Sequence, residues 1–198
     1  MSAQSQPRLT PEQYLEIERA SEFRSEYYAG QMYAMSGGTH RHALLIGNIV
    51  RHVGNAVSCR SCSVTPSDLR VQTSSQGLYT YPDTVVVRGQ PKYADNQKDT
   101  LLNPILIVEV LSPSTEAYDS RIQSSSIPHD RLTSRVVLVS QNEPRVEVFR
   151  RQTGGTWLMS ESFGLETSCR LDSLDCQIAL AAIYAKVTFG GEDGVPGR

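Results

Sequence analysis

Two carboxylates occupy positions where acidic residues are uncommon. Asp83 directly follows Pro82 at the start of an apolar stretch, and Glu109 interrupts the apolar run 105–111. A carboxylate inside a buried strand is costly unless it meets a cation, a set of hydrogen-bond donors or a metal ion. If the two strands are neighbours, the pair predicts a divalent-ion site, because carboxylate oxygens suit Mg²⁺ or Mn²⁺. The alternative is structural: each carboxylate pairs with an arginine or caps a turn, and spacing alone leaves both interpretations open.

The basic side chains are almost all arginine. The 198 residues include 19 basic and 21 acidic side chains, and only Lys92, Lys98 and Lys186 are lysine, which leaves sixteen arginines. The net charge of −2 argues against a protein that coats nucleic acid non-specifically, while it allows a nucleic-acid enzyme with a local basic patch. The hydrophobic share of 39% is ordinary for a soluble globular protein.

Length and patterning predict one domain over residues 9–187, with flexible termini at 1–8 and 188–198. The N-terminal residues are polar and the apolar runs are too short to span a bilayer, so we expect no targeting segment, no membrane partner and a cytoplasmic location. Cys59 and Cys62 have the spacing of metal ligands, but a four-cysteine zinc site needs a second close pair. Reduced thiols are therefore the favoured interpretation, with zinc as a distant alternative.

Local signals predict the elements that position the two carboxylates. Thr10, Pro11 and Gln13 form the start of a helix with a capping box, and Gly30 is the turn of a predicted hairpin over 27–35. Thr39 can cap a second helix over about 40–57, where apolar residues recur at helical spacing. Strands are predicted over 62–72, 79–87, 105–111, 136–140, 145–151 and 157–163, with a charged loop over 91–103 and a closing helix over 178–187. This order indicates an α/β or α+β domain around one central sheet.

Six motifs occur in a recognisable order. They are Leu-Thr-Pro-Glu-Gln-Tyr-Leu at 9–15, Glu-Tyr-Tyr-Ala-Gly at 26–30, Tyr-Ala-Met-Ser-Gly-Gly-Thr at 33–39 with His42, Pro-Ser-Asp at 66–68, Tyr-Pro-Asp at 81–83 and Val-Glu-Val-Leu-Ser-Pro-Ser-Thr at 108–115. The set resembles the Uma-two family of restriction endonuclease homologues, in the PD-(D/E)XK nuclease superfamily, over about residues 9–184. The resemblance implies a restriction-endonuclease-like central mixed sheet flanked by helices.

The resemblance also implies roles for individual residues. Asp83 matches the PD element and Glu109 matches the second acid, so both would bind Mg²⁺ or Mn²⁺ and take part in phosphodiester hydrolysis of DNA by a metal-activated water. Glu26 and His42 match other recurrent polar positions near the family's site, although each could equally be solvated or locally paired. Many enzymes of the superfamily are dimers, so a homodimer is expected by resemblance only.

The third catalytic element departs from the family pattern. The family has a lysine on the helix that follows the second acid, in a segment resembling Asp-Arg-Gly-x-Lys-x-x-x-Tyr-Arg. In this chain Gln123 occupies the lysine position and Ile127-Pro128 replaces Tyr-Arg. Glutamine supplies no charge and Pro128 would interrupt a helix. The expected function is therefore a metal-dependent DNA endonuclease that is impaired in this chain, and the alternative is a catalytically inactive binding or assembly module with the same fold.

The departure is consistent with a shifted reading frame. Codons for residues 119–124 can be chosen that, after deletion of one base, begin with Asp-Arg-Gly-Phe-Lys, which is the family motif. We therefore interpret 120–136 as a stretch bounded by two compensating single-base changes or by sequencing errors. Ordinary divergence with chance codon agreement is the alternative. Resequencing the gene decides between them, because codons that cannot yield the motif after a one-base shift exclude the frameshift.

Overall fold

A computed structural model describes residues 8–35, 37–74, 77–111, 133 and 135–189. Helices α1, α2 and α3 span Pro11–Ala20, His40–Val57 and Leu180–Ile183, and a 3₁₀ turn spans Asp172–Leu174. Strands β1 to β13 span Ser25–Tyr28, Gln31–Ala34, Cys62–Pro66, Arg70–Ser74, Leu78–Thr80, Thr84–Arg88, Thr100–Leu101, Pro104–Leu111, Arg135–Ser140, Arg145–Arg151, Trp157–Phe163, Ser168–Leu171 and Cys176–Ala179. Among the described helices none is long and apolar enough to cross a membrane.

Both N-terminal helices begin where their caps predict. Thr10 accepts the backbone N–H of Gln13, and the Gln13 side chain accepts the N–H of Thr10, which completes the capping box of α1. Thr39 caps α2 in the same way by accepting the N–H of His42 at 3.2 Å. The cap on α2 places His42 in its first turn.

The strands form a mixed α+β arrangement. A six-stranded sheet has the order β11-β10-β9-β8-β6-β3, in which β8 and β9 are parallel and the other neighbours are antiparallel. A five-stranded sheet has the order β2-β1-β5-β4-β7, and β12 pairs with β13 in a hairpin. The predicted fold class, with a central mixed sheet flanked by helices, is confirmed, and the second sheet is an addition to it.

Two predicted strands are each divided between the two sheets. The prediction over 62–72 becomes β3 in the six-stranded sheet and β4 in the five-stranded sheet, and the prediction over 79–87 becomes β5 and β6. The breaks fall after Pro66 and at Pro82, because proline has no N–H for the ladder and a fixed φ. Asp83 therefore lies at a crossover between sheets and not inside one continuous strand.

The closing helix predicted over 178–187 is wrong at both ends. Ile178 belongs to β13 and pairs with Cys169 of β12, and only Leu180–Ile183 is helical. Both Cys169 and Ile178 are buried in the main core, so tertiary packing overrides the helical spacing. Strands β7 and β12 are further elements that the sequence did not indicate.

Alternation along β6 and β8 separates two cores. Val86, Leu106 and Val108 belong to the large core, which includes α2 residues such as Leu45 and Ile49. Val85, Val87 and Ile107 face a smaller core with Val71 and Leu101. Since side chains alternate between faces, Asp83 and Glu109 lie on the same face as Val85 and Ile107.

Candidate active site

The structure brings Asp83 and Glu109 together on neighbouring strands. Thr84 of β6 pairs with Val108 of β8, and the antiparallel register continues by one residue to place Asp83 opposite Glu109. The backbone N–H of Asp83 points to Oε2 of Glu109, with an N···O distance of 3.5 Å. Glu109 is half-buried, whereas almost all other residues of strand β8 are buried. The two carboxylates therefore share one end of the six-stranded sheet.

A single oxygen of Asp83 receives two contacts. Oδ2 accepts the backbone N–H of Val110 at 2.7 Å and lies 3.2 Å from Nε2 of His42. The side chains of His42 and Asp83 are 18% and 14% exposed, so the contact is largely shielded from water. The hydrogen bond from His42 to Asp83 raises the pKa of the imidazole above its usual value, against the opposing effect of burial. His42 and Val110 together fix the orientation of the carboxylate.

The segment before α2 packs tightly against His42. A Cβ atom at Gly38 would lie 2.5 Å from Nδ1 of His42, whereas a Cβ atom at Gly37 would have no atom within 4 Å. Glycine at 38 thus permits the imidazole to lie against the backbone on its way to Asp83.

Gln141 is a site residue that the sequence analysis missed. It is 3% exposed and follows β9, where its Nε2 donates to the carbonyl of Leu111 at 2.8 Å. Thr39 donates its hydroxyl to Oε1 of Gln141 at 3.2 Å. Gln141 therefore links the N-terminus of α2 to the end of β8. Nothing in the sequence distinguishes this glutamine from a polar residue in a turn.

Of the other two predicted site residues, Glu26 lies in the other sheet, and Gln123 lies outside the described residues. Glu26 is on β1 of the five-stranded sheet, and the hydroxyl of Thr80 on β5 donates to its carboxylate. Thr80 stands three positions before Asp83 in the sequence. The segment predicted to be out of frame, 120–136, also lies outside the described residues except for 133, 135 and 136.

The donor set fits a hard divalent cation. In the described part of the chain no group of three or more His, Cys, Asp and Glu side chains is arranged to hold a metal. Magnesium, however, commonly takes only one or two carboxylates and completes its shell with water and substrate phosphate, which matches the pair Asp83 and Glu109. Cys59 and Cys62 carry free thiols, one exposed and one half-buried.

The mixed sheet flanked by helices is a restriction-endonuclease-like fold. The chain matches the Uma2 family, described as "Putative restriction endonuclease", over residues 11–182. The chain belongs to this family.

Two relatives and a solved structure are similar to this chain. The chain is 32% identical to "Uncharacterized protein slr1290" of Synechocystis sp. (strain ATCC 27184 / PCC 6803 / Kazusa), over 92% of this chain and 95% of the relative. It is 29% identical to "Uncharacterized protein sll1609" of the same organism, over 79% of this chain and 88% of the relative. The crystal structure of "a putative nuclease belonging to DUF820" from Anabaena variabilis ATCC 29413 superimposes with a TM-score of 0.71 at 18% identity, covering 91% of this chain and 99% of that one. That structure shares the fold.

Proposed function

We propose that the chain is a metal-dependent DNA endonuclease whose cation site is formed by Asp83 and Glu109. The observation that supports this most is the cross-strand placement of the two carboxylates, where two half-buried acids lie close together at one end of the six-stranded sheet. Such a pair is costly in a fold that uses it only for stability, because like charges repel in a shielded site. The family description, a restriction endonuclease, supports the same reaction class.

Asp83 and Glu109 would hold Mg²⁺ or Mn²⁺ through carboxylate oxygens. A divalent cation bound there lowers the pKa of a coordinated water and offsets the charge that develops on the scissile phosphate. Both described contacts of the Asp83 carboxylate fall on Oδ2, from Val110 and His42. In the proposal the other oxygen, Oδ1, is the one that would bind the cation.

His42 and helix α2 add a favourable field for an anionic substrate. The first turn of α2 carries no acidic residue, and the exposed N–H groups at a helix N-terminus attract phosphate. His42 donates to Asp83 through Nε2 and so acts on the carboxylate, which it holds in place for binding. Its role in the proposal is positional.

Gln123 limits the activity in this proposal. The lysine that it replaces would orient the attacking water and stabilise charge on the phosphate, and glutamine carries no charge. By analogy with removal of one oxyanion donor, the loss costs about 3 kcal/mol of transition-state stabilisation. We therefore expect very weak cleavage from the chain as it stands, and an inactive DNA-binding or assembly module is the second candidate.

Two measurements test the proposal. Magnesium-dependent cutting of plasmid DNA is compared between the unmodified chain and a repaired chain carrying Gln123→Lys, Ile127→Tyr and Pro128→Arg. The repaired chain should cut at least about a hundredfold faster, and adding Asp83→Asn to it should remove that gain. Robust cutting by the unmodified chain would contradict the impairment.

Binding of Mn²⁺, followed by electron paramagnetic resonance, separates the enzyme from the module. The Asp83→Asn variant should lose Mn²⁺ binding, whereas Asp175→Asn should keep it. Asp175 is a matched control because its carboxylate is 74% exposed, pairs with Arg170 and has a positive φ that asparagine tolerates. Equal Mn²⁺ binding by the unmodified chain and both variants would favour the module.

A further inference from the structure

Tyr81 is buried at the crossover that leads to Asp83. It follows β5 of the five-stranded sheet and precedes Pro82, after which the chain enters β6 of the six-stranded sheet. Its hydroxyl donates to Oε1 of Glu18 at 2.9 Å and accepts a hydrogen bond from Nη1 of Arg70 at 3.0 Å. The side chain is therefore held from both sides by charged partners.

Both partners of Tyr81 are themselves anchored. Glu18, 6% exposed, accepts the backbone N–H of Ser25 with both carboxylate oxygens, at 3.0 and 3.1 Å. Arg70, 3% exposed, donates from Nε to the hydroxyl of Thr100 at 2.9 Å and forms an ion pair with Asp99 at 2.8 Å. The network thus ties the tyrosine to α1, β1, β4 and β7, and it has little freedom to shift.

The charges of this network suit the two bonds of the hydroxyl. The phenol donates its proton to the Glu18 carboxylate and accepts an N–H of the Arg70 guanidinium. Hydrogen bonds to ionised partners are roughly twice as strong as neutral ones. A buried network of this kind is rigid when every member is satisfied, and it loses that rigidity when one member is removed.

The carboxylate that the proposed function uses is only two residues away. Pro82 joins Tyr81 to Asp83 with a fixed φ and no N–H of its own, so little motion separates the two residues. On the far side, Asp83 is tied to β8 through its N–H to Glu109 and its Oδ2 to Val110. The junction is consequently held by one sheet at Tyr81 and by the other at Asp83.

We propose that Tyr81, clamped between Glu18 and Arg70, is a positioning residue that sets the Asp83 carboxylate opposite Glu109 and thereby sets the affinity of the site for a divalent cation. The inference rests on the proposed function, since it assigns the cation site to Asp83 and Glu109. Tyr81 acts through the backbone of the junction. It links α1 and the five-stranded sheet to a site built on the other sheet.

The Tyr81→Phe variant tests the inference with Mn²⁺ as the probe. It removes both bonds of the hydroxyl and keeps the ring, so the junction should loosen without a loss of core volume. Loss of a group that positions a metal ligand typically costs tenfold or more in metal affinity, and we expect the dissociation constant for Mn²⁺ to rise about tenfold. Electron paramagnetic resonance of free Mn²⁺ measures this without any cleavage assay.

The matched control is Tyr27→Phe. Tyr27 is also buried and lies on β1 of the five-stranded sheet. The substitution removes one hydroxyl bond, to the carbonyl of Leu9 at 2.8 Å. Its Mn²⁺ affinity should equal that of the unmodified chain. Equal affinities in the two tyrosine variants would overturn the inference, whether both are weakened or neither is.

A second variant applies if Tyr81→Phe yields no folded protein. Glu18→Gln keeps the side-chain volume and an acceptor for Tyr81, but a neutral acceptor binds the hydroxyl more weakly. Its Mn²⁺ dissociation constant should rise by a few fold, and an unchanged value would overturn the inference. Asp83→Asn separates the two proposals: if it leaves Mn²⁺ binding intact, the site itself is wrong, and if it abolishes binding while Tyr81→Phe does not, only the role of Tyr81 is wrong.

Discussion

Nε2 of His42 lies 3.2 Å from Oδ2 of Asp83, and the same oxygen accepts the N–H of Val110. One carboxylate oxygen thus joins the first turn of α2 to strand β8. This contact makes His42 a reporter of the site, because its pKa depends on the position and charge of Asp83.

The stability of the protein should depend on pH through this contact. The pKa of His42 is raised in the folded state by its hydrogen bond to Asp83, so the pair stabilises the fold fully below the unfolded pKa of about 6.5. That contribution is lost as the pH rises through the folded pKa. In buffer with a metal chelator, the free energy of unfolding by urea should therefore fall more between about pH 6 and pH 9 in the unmodified chain than in His42→Gln.

The comparison has an internal check. Asp83→Asn removes the charge that raises the pKa of His42, so its profile between the same two pH values should resemble that of His42→Gln. Identical profiles for all three proteins would show that the His42–Asp83 contact does not form in solution.

Gly38→Ala should displace His42. The new Cβ would lie 2.5 Å from Nδ1, and the ring, at the end of a side chain, must turn away from Asp83. The pKa of His42, measured by nuclear magnetic resonance titration, should then move down toward its ordinary value. Gly37→Ala is the control, because a Cβ at Gly37 has nothing within 4 Å, and it should leave the titration unchanged. A similar shift in both variants would contradict the close packing at Gly38.

The sequence predicted the two acids of the candidate site better than it predicted the elements and side chains that position them. Asp83 and Glu109 were recognisable because a carboxylate at the head of, or inside, an apolar strand conflicts with burial. The placement of Asp83 at a crossover was not recognisable from the sequence, because strand alternation continues through Tyr81 and Pro82 and shows no change of sheet. Sheet membership depends on pairing between distant residues, which local patterns do not contain.

Support from side-chain amides was equally hidden. Gln141 and Asn48 are polar residues in ordinary-looking segments, and their importance arises from contacts with carbonyls more than 29 positions away. The helix predicted over 178–187 was misjudged for the related reason that Ile178 pairs with Cys169. In each case a long-range contact outweighs the local preference.

Gln141→Leu should destabilise the protein and loosen the site. The variant leaves the buried carbonyl of Leu111 without its donor and the hydroxyl of Thr39 without this acceptor. We expect a loss of about 1–3 kcal/mol in the free energy of unfolding. Gln152→Leu is the control, since Gln152 is half-buried and its side chain makes one long bond, at 3.3 Å, to the carbonyl of Arg150. Equal losses in urea unfolding would mean that Gln141 has no special structural role.

Asn48 connects α2 to helix α3 and the residues that follow it. It is 6% exposed, and its Nδ2 donates to the carbonyls of Ile183 at 3.0 Å and Ala185 at 2.9 Å. Asn48→Ala removes both bonds and leaves the two carbonyls unpaired by this side chain, so the free energy of unfolding should fall by about 2–3 kcal/mol.

The control for Asn48 lies on the same helix. Asn55 is exposed, and Asn55→Ala should change the unfolding free energy by less than about 0.5 kcal/mol, since alanine also favours the helix. Urea denaturation followed by far-ultraviolet circular dichroism measures both. Because the hydrogen bonds of Asn48 tie α2 to α3, Asn48→Ala should also reduce the hydrogen-exchange protection of α2 amides. Asn55→Ala should leave that protection unchanged. A stable Asn48→Ala variant with full protection would show that the large core alone holds α2 in place.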